Sequence, residues 1–197
     1  MSNKMILGIT GSIGSGKTTA TNMFKRHGFE VINADNIYHK ISKPNELIYK
    51  KIVEEFGNEI INSDKTINRE KLKKIVFSDD KKLKKLNSVT HPIIISEIKK
   101  LIEEAKNKNI IVDAPLLLES NAKNLVDKII VVKCNDNIRI QRLLKKGKHT
   151  KEEIKNITKS QMQIKEKLKY ADFVVYNNGE LKHLEKQVVA IIKNLKQ

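Results

Sequence analysis

Residues Met5 to Thr19 read Met-Ile-Leu-Gly-Ile-Thr-Gly-Ser-Ile-Gly-Ser-Gly-Lys-Thr-Thr, and no other stretch restricts the fold of this chain as tightly. The apolar run Met5 to Ile9 suits a buried parallel strand. Gly11 to Gly16 cannot continue it, and from Lys17 a helical pattern opens with Ala20, Met23 and Phe24 inward. Strand, glycine loop and helix, in that order, are the context in which the spacing G-x-x-x-x-G-K-[ST] acts as a phosphate-binding loop. Its glycines let the backbone curl until successive N–H groups point at one anion, and the new helix adds the positive end of its dipole. Gly11, Gly14, Ser15, Gly16, Lys17, Thr18 and Thr19 are therefore the candidate nucleotide-binding set. Lys17 would reach the terminal phosphates, and the Thr18 hydroxyl would hold Mg²⁺.

The rest of the chain alternates in the same way. A helix from about Lys17 to His27 ends at Gly28, and Phe29 to Ala34 reads as a second strand ending at Asp35. From Asn36 to about Lys108 the pattern turns helical, with expected breaks near Pro44, Asn58 to Asn68, and Pro92. Leu47, Ile48, Ile52, Val53 and Phe56 form one apolar face there, and Leu83, Leu86 and Val89 another. Asn68 and Ser78 read as helix N-caps. Ile110 to Asp113, Lys128 to Val132 and Phe173 to Tyr176 read as three more strands. Thr150 to Glu153 has capping-box spacing, and Leu181 to Leu195 closes the chain as an amphipathic helix. The expected fold class is α/β: a five-stranded parallel sheet covered by helices on both faces, with a helical insertion and a lid. One domain over 1–197 is expected, with a core of about 1–35 and 109–197, an insertion of about 36–108 and a lid of about 139–167.

Composition narrows the partners. The chain has 197 residues, enough for one sizeable core, and a single cysteine, Cys134, in an apolar run that suits a buried thiol. No signal-peptide layout opens the sequence, and no apolar run approaches the ~20 residues that span a bilayer, so a soluble cytoplasmic protein without a membrane partner is expected. A formal charge of +16 invites a nucleic-acid reading. The positive residues, however, are nearly all lysines spread over most of the helices, whereas phosphate readers favour the arginine fork, and no specific nucleic-acid partner is expected. Arg26, Arg69, Arg139 and Arg142 are the only arginines, which makes each individually informative. A monomer or weak homo-oligomer is expected.

Ligands of such sheets sit beyond the C-terminal strand ends, where the glycine loop, Asp35 and Asp113 all fall. A switch GTPase would show Asp-x-x-Gly and Asn-Lys-x-Asp; instead Asn107-Lys108 is followed by Asn109 and Ile110. A small-molecule kinase needs only a nucleotide cradle, a carboxylate near the acceptor hydroxyl and positive groups that cover the phosphoryl. Asp35 is the candidate base, or else the N-cap of a helix starting at Asn36. Asp113 either organises Mg²⁺ or caps the next turn. Arg139, Arg142, Lys145, Lys146 and Lys148 form a basic run that suits a lid over phosphates; for the lysines, a solvated helix face is the alternative. His91, beside Pro92, either contacts substrate or is structural.

Thr10 to Thr19, Asn33-Ala34-Asp35, Pro44, Leu86-Asn87, His91-Pro92, Asp113-Ala-Pro115-Leu-Leu-Leu-Glu119, Gln161, Ala171-Asp172 and Asn177-Asn178-Gly179 occur in an order that resembles the bacterial dephospho-coenzyme A kinases over nearly the whole length. The resemblance implies transfer of the ATP γ-phosphate, with Mg²⁺, to the ribose 3′-hydroxyl of dephospho-coenzyme A, the last step of coenzyme A synthesis. It implies Asp35 as base, Lys17 and Arg142 as catalytic cations with Arg142 in the lid, and Asn177 beside the adenine. It further implies an acceptor-binding insertion, with His91, Pro115 and Leu116 at the substrate and Thr18 and Asp113 at the metal. Asn33, Lys146, Lys167 and Tyr176 depart from the residues common in that family, and lysine keeps the charge of arginine without its planar fork. Another P-loop nucleoside or nucleotide kinase, or a basic nucleic-acid binder with a regulatory nucleotide site, are the rival readings.

Overall fold

The computed structural model describes residues 4–147 and 149–195. Its strands are β1 (Met5–Thr10), β2 (Glu30–Asn33), β3 (Asn109–Asp113), β4 (Lys128–Lys133) and β5 (Phe173–Tyr176). The helices are α1 (Lys17–Arg26), α2 (Ala34–Ile41), α3 (Leu47–Phe56), α4 (Arg69–Phe77), α5 (Asp80–Glu104), α6 (Asp136–Lys145), α7 (Lys151–Ser160), α8 (Ile164–Leu168) and α9 (Leu181–Asn194). The strands form one parallel sheet in the order β2-β3-β1-β4-β5, so the first strand made is the central one. β1 pairs on one side with β3, Ile6 opposite Ile110, and on the other with β4, Gly8 opposite Ile129.

Alternate residues of the strands point to opposite faces, and both faces are covered. Leu7, Ile9, Ile111, Ile130, Val132 and Val175 join Phe24 of α1 and Leu184 and Val188 of α9 in one cluster. Ile110, Val112 and Val131, which alternate with these, are equally inaccessible to solvent. β4 and β5 are each preceded by an aspartate that extends the ladder. The Ile6 N–H donates to Asp127 Oδ2 at 2.7 Å while the Asp127 N–H donates to the Ile6 carbonyl at 2.7 Å. Asp172 does the same for Ile129, at 2.8 and 2.9 Å.

The chain divides into two compact units, residues 1–32 with 102–197, and residues 33–101. The second has its own core of Ile48, Ile52, Ile60, Ile67, Leu72 and Val76. Three local expectations are corrected within 33–101. The cap of α2 is Asn33, whose side chain accepts the Asn36 N–H at 2.8 Å, so Asp35 lies inside the first turn and is not the cap. Asn68 caps α4 as expected, but Ser78 closes α4 and Asp79 instead accepts the Lys81 N–H at 2.8 Å. Pro92 does not end a helix: α5 runs through it. A proline there forfeits the hydrogen bond to the Ser88 carbonyl, and Ser88 and Pro92 are both exposed, so the orphaned group faces solvent. Among the described residues no helix is long and apolar enough to cross a membrane.

Candidate active site

The loop between β1 and α1 is shaped by what touches it. Gly16 takes left-handed backbone, φ 89°, and a Cβ there would collide with the side-chain amide of Asn177. That amide donates to the Ser15 carbonyl at 2.9 Å, while the Asn177 N–H bonds the Lys133 carbonyl at 2.8 Å. Asn177, at the end of β5, is thus stapled to the loop. At Gly11 an added Cβ would lie 2.5 Å from the Val132 carbonyl oxygen. Only glycine admits these approaches.

α1 then opens with its first N–H groups lacking intrahelical acceptors and with no acidic residue in its first turn, so the positive helix end is uncompensated. The Ser15 hydroxyl is buried without a hydrogen-bond partner. A buried, partnerless polar atom beside a ring of backbone donors fits a site made for an anion. Lys17 forms an ion pair with Asp113 Oδ1, and Thr21 Oγ1 donates to Asp113 Oδ2 at 3.1 Å. Asp113 is 1 % exposed, and its two oxygens are taken by α1 side chains, so it does not cap the following turn.

The two arginines of α6 brace this loop from behind. Arg139, 4 % exposed, donates to the Ile13 carbonyl at 3.1 Å and to Thr158 Oγ1 at 3.2 Å, and it is held by Asp136. Arg142 donates to the Asn177 carbonyl at 2.8 Å and approaches Cys134 Sγ at 3.6 Å. Cys134 is buried, and burial pushes its thiol up, with Arg142 opposing. Lys145 and Lys146 are exposed, in keeping with a solvated face, and Lys148 lies outside the described residues. The capping box of α7 forms as its spacing predicts, Thr150 with Glu153.

A further set was missed by sequence reading. Lys167 is inaccessible to solvent and donates to the Pro115 carbonyl at 2.9 Å and to Thr10 Oγ1 at 3.3 Å, and it pairs with Glu119 at 2.9 Å. Burial pulls the Lys167 ammonium below the usual lysine range, and Glu119 resists that pull. Glu119 also accepts the Met162 N–H at 2.8 Å, and Gln161 accepts the Ile13 N–H at 3.2 Å. The segment 161–167 is thereby tied both to the phosphate loop and to the stretch Asp113 to Glu119. Its sequence signals were that Gln161 and Glu119 belong to the ordered motif set and that Lys167 departs from the residue common in the resembled family. Of the sequence-predicted residues, Gly11 to Thr19, Asp113, Pro115, Arg142 and Asn177 are brought together, with the half-buried Leu116 adjoining Pro115. Asp35, exposed on α2, and His91, half-buried within α5, belong to the unit 33–101.

A parallel sheet whose central strand runs through such a loop into a helix defines a P-loop phosphotransferase fold, and comparison with known proteins narrows it. A family profile for dephospho-CoA kinase matches residues 5–183. A dephospho-CoA kinase of Lactobacillus johnsonii is 39 % identical over 192 residues, covering 96 % of this chain and 97 % of that one. One from Fusobacterium nucleatum is 40 % identical over 184 residues, covering 93 % and 95 %. The solved dephospho-CoA kinase of Campylobacter jejuni superposes with a TM-score of 0.68 at 32 % identity, covering 96 % of each chain. The chain belongs to the dephospho-CoA kinase family.

Proposed function

We propose that the reaction is transfer of the γ-phosphate of ATP to the ribose 3′-hydroxyl of dephospho-coenzyme A, giving coenzyme A and ADP. The observation that carries this is the complete phosphate loop with the Lys17–Asp113 pair beside it, in a chain of this family. Lys17 and the loop N–H groups from Gly11 to Thr19 hold the phosphates and stabilise the charge that develops on them. The Thr18 hydroxyl and the Asp113 carboxylate, hard oxygen donors of the kind Mg²⁺ prefers, would hold the metal. When bound, Mg²⁺ neutralises charge on the terminal phosphates. Breaking the Lys17–Asp113 pair frees the ammonium for phosphate and the carboxylate for this second task. Asn177 lies beside the adenine, Arg142 serves the lid over 139–167, and Asp35 takes the proton of the acceptor hydroxyl. His91, Pro115 and Leu116 line the acceptor. The enzyme works in the cytoplasm as a monomer or weak homo-oligomer, and its scattered lysines serve no specific nucleic acid.

The test is ADP release from Mg-ATP against a panel of dephospho-coenzyme A, AMP, CMP, pantothenate and adenosine. Dephospho-coenzyme A is expected to be the best acceptor. A clear preference for a nucleoside monophosphate would assign the chain to another kinase activity.

A further inference from the structure

β5 is the last strand in the sheet order, so one of its edges faces no other strand among the described residues. Backbone groups of successive strand residues turn alternately to the two sides. The Asn177 N–H turns inward to the Lys133 carbonyl of β4, and the Tyr176 N–H and carbonyl turn to the open edge. There they meet one side chain. Gln187 of α9 accepts the Tyr176 N–H at 2.8 Å through Oε1 and donates to the Tyr176 carbonyl at 2.9 Å through Nε2. Nε2 also donates to the His183 carbonyl at 3.2 Å, one turn back along α9, which anchors the amide to its own helix. The pair of bonds is what an adjoining strand would supply, made here by a side chain. The Tyr176 ring is exposed, and it is the backbone that Gln187 holds.

Closing an open edge would account for such a contact by itself. The next residue in the chain gives it a second task. Asn177 is buried, its carbonyl accepts from Arg142 at 2.8 Å, and its side-chain amide donates to the Ser15 carbonyl at 2.9 Å. A peptide unit is planar and trans, so the Ser15 carbonyl and the Gly16 N–H share one plane and point opposite ways. Holding that carbonyl therefore aims that N–H, one of the donors of the phosphate loop. The tolerance is small, because the Asn177 amide lies so close to Gly16 that a Cβ there would not fit.

We propose that Gln187 is a positioning residue for the phosphate loop: by fixing the Tyr176 peptide at the open edge it sets Asn177, and through Asn177 it sets the Ser15–Gly16 peptide. This rests on the functional reading above, in which the loop holds the phosphates of ATP. Without Gln187 the end of β5 is held from the β4 side alone, and a rotation of the Tyr176 peptide passes directly to its neighbour. The loss falls on nucleotide affinity, since a misaimed N–H weakens ground state and transition state alike.

The test is steady-state kinetics of Gln187→Met, Gln187→Glu, Asn177→Ala and Asp172→Asn, with calorimetric binding of ATP and thermal unfolding alongside. Gln187→Met loses both bonds and should raise KM and Kd for ATP about three- to tenfold, with kcat within about twofold and KM for dephospho-coenzyme A unchanged. Gln187→Glu keeps the acceptor for the Tyr176 N–H and loses the donor, so its values should fall between that variant and the parent. Asn177→Ala should raise KM for ATP at least as much as Gln187→Met. Asp172→Asn weakens the opposite end of β5 and should leave KM for ATP at the parent value, which separates positioning from a general loosening of the strand. A folded Gln187→Met with unchanged KM and Kd for ATP overturns the proposal, whether or not the variant self-associates through the opened edge, and so does an equal rise in Asp172→Asn. If Gln187→Met does not fold, Gln187→Glu decides by the same criterion. An effect of Asn177→Ala alone removes only the role of Gln187, whereas no effect of either variant removes the reading of the nucleotide site as well.

Discussion

Asp35 sits in the first turn of a helix that already has its cap, since Asn33 fills that role. Asp35→Asn therefore leaves the cap of α2 in place while removing the carboxylate proposed to act as the base. Single-turnover transfer at saturating ATP and dephospho-coenzyme A should slow by about 10²-fold or more, the usual scale for a positioned base, with ATP binding intact. A rate within about threefold of the parent would take Asp35 off the catalytic list. Lys167 and Glu119 call for a different measurement, because their pair is buried and each partner compensates the other. Lys167→Met should cost about 3–5 kcal/mol by urea unfolding, the scale for stranding one member of such a pair, and adding Glu119→Gln should return much of it. A double variant no more stable than the single would show that the charge of Glu119 is not what Lys167 answers. The loop, Lys17 and Asp113 were legible because their chemistry is written in adjacent residues and at a strand end. Lys167 was legible only as a lysine where the resembled family commonly has arginine; that it is buried and answers Glu119 is set by tertiary contacts that the sequence does not display. Asp35 was misread as a possible cap for a simpler reason: Asn33 and Asp35 are both preferred caps, and the helix start was placed two residues late.

At the level of elements, all five strands were visible as short apolar runs with β-branched residues, bounded by polar or glycine residues. The ends moved by one residue at most, because strand ends are decided by ladder partners. Asp127 and Asp172 show how. Each precedes its strand and adds a rung through its carboxylate, a device that sequence periodicity does not reveal. For Asp172 burial raises the carboxyl pKa, but the Ile129 N–H and Lys128 outweigh it, and the net shift is downward. A carboxyl depressed in the folded state contributes stability above its unfolded value, near 3.9, and loses that contribution as pH falls through the folded value. Asp172→Asn should thus cost about 0.5–1 kcal/mol near pH 6 and nothing by about pH 2, flattening the acid limb of a melting-temperature profile. A constant difference across that range would mean that the charge of Asp172 plays no part. α5 carries the opposite lesson. Pro92 is a strong breaker in sequence, yet α5 runs through it, with the forfeited bond on the exposed side of the helix.

The whole molecule is two compact units, and the helical one, 33–101, interrupts the sheet-bearing one between β2 and β3. That division leaves the central strand with no early partner. β1 is synthesised first, but its neighbours are β3, with Ile6 opposite Ile110, and β4, with Leu7 opposite Lys128. On the ribosome the apolar run Met5 to Ile9 must therefore wait, unpaired, while the entire helical unit is translated. Helices form from local contacts and the sheet from distant ones, so the helical unit can mature while β1 is still an open edge. The phosphate loop, which takes its shape from Asn177 near the far end of the chain, is then among the last features to form. A nascent chain that stalls before β4 emerges carries a sticky first strand and no nucleotide site, so the reading order of the gene delays activity until almost the whole chain is made.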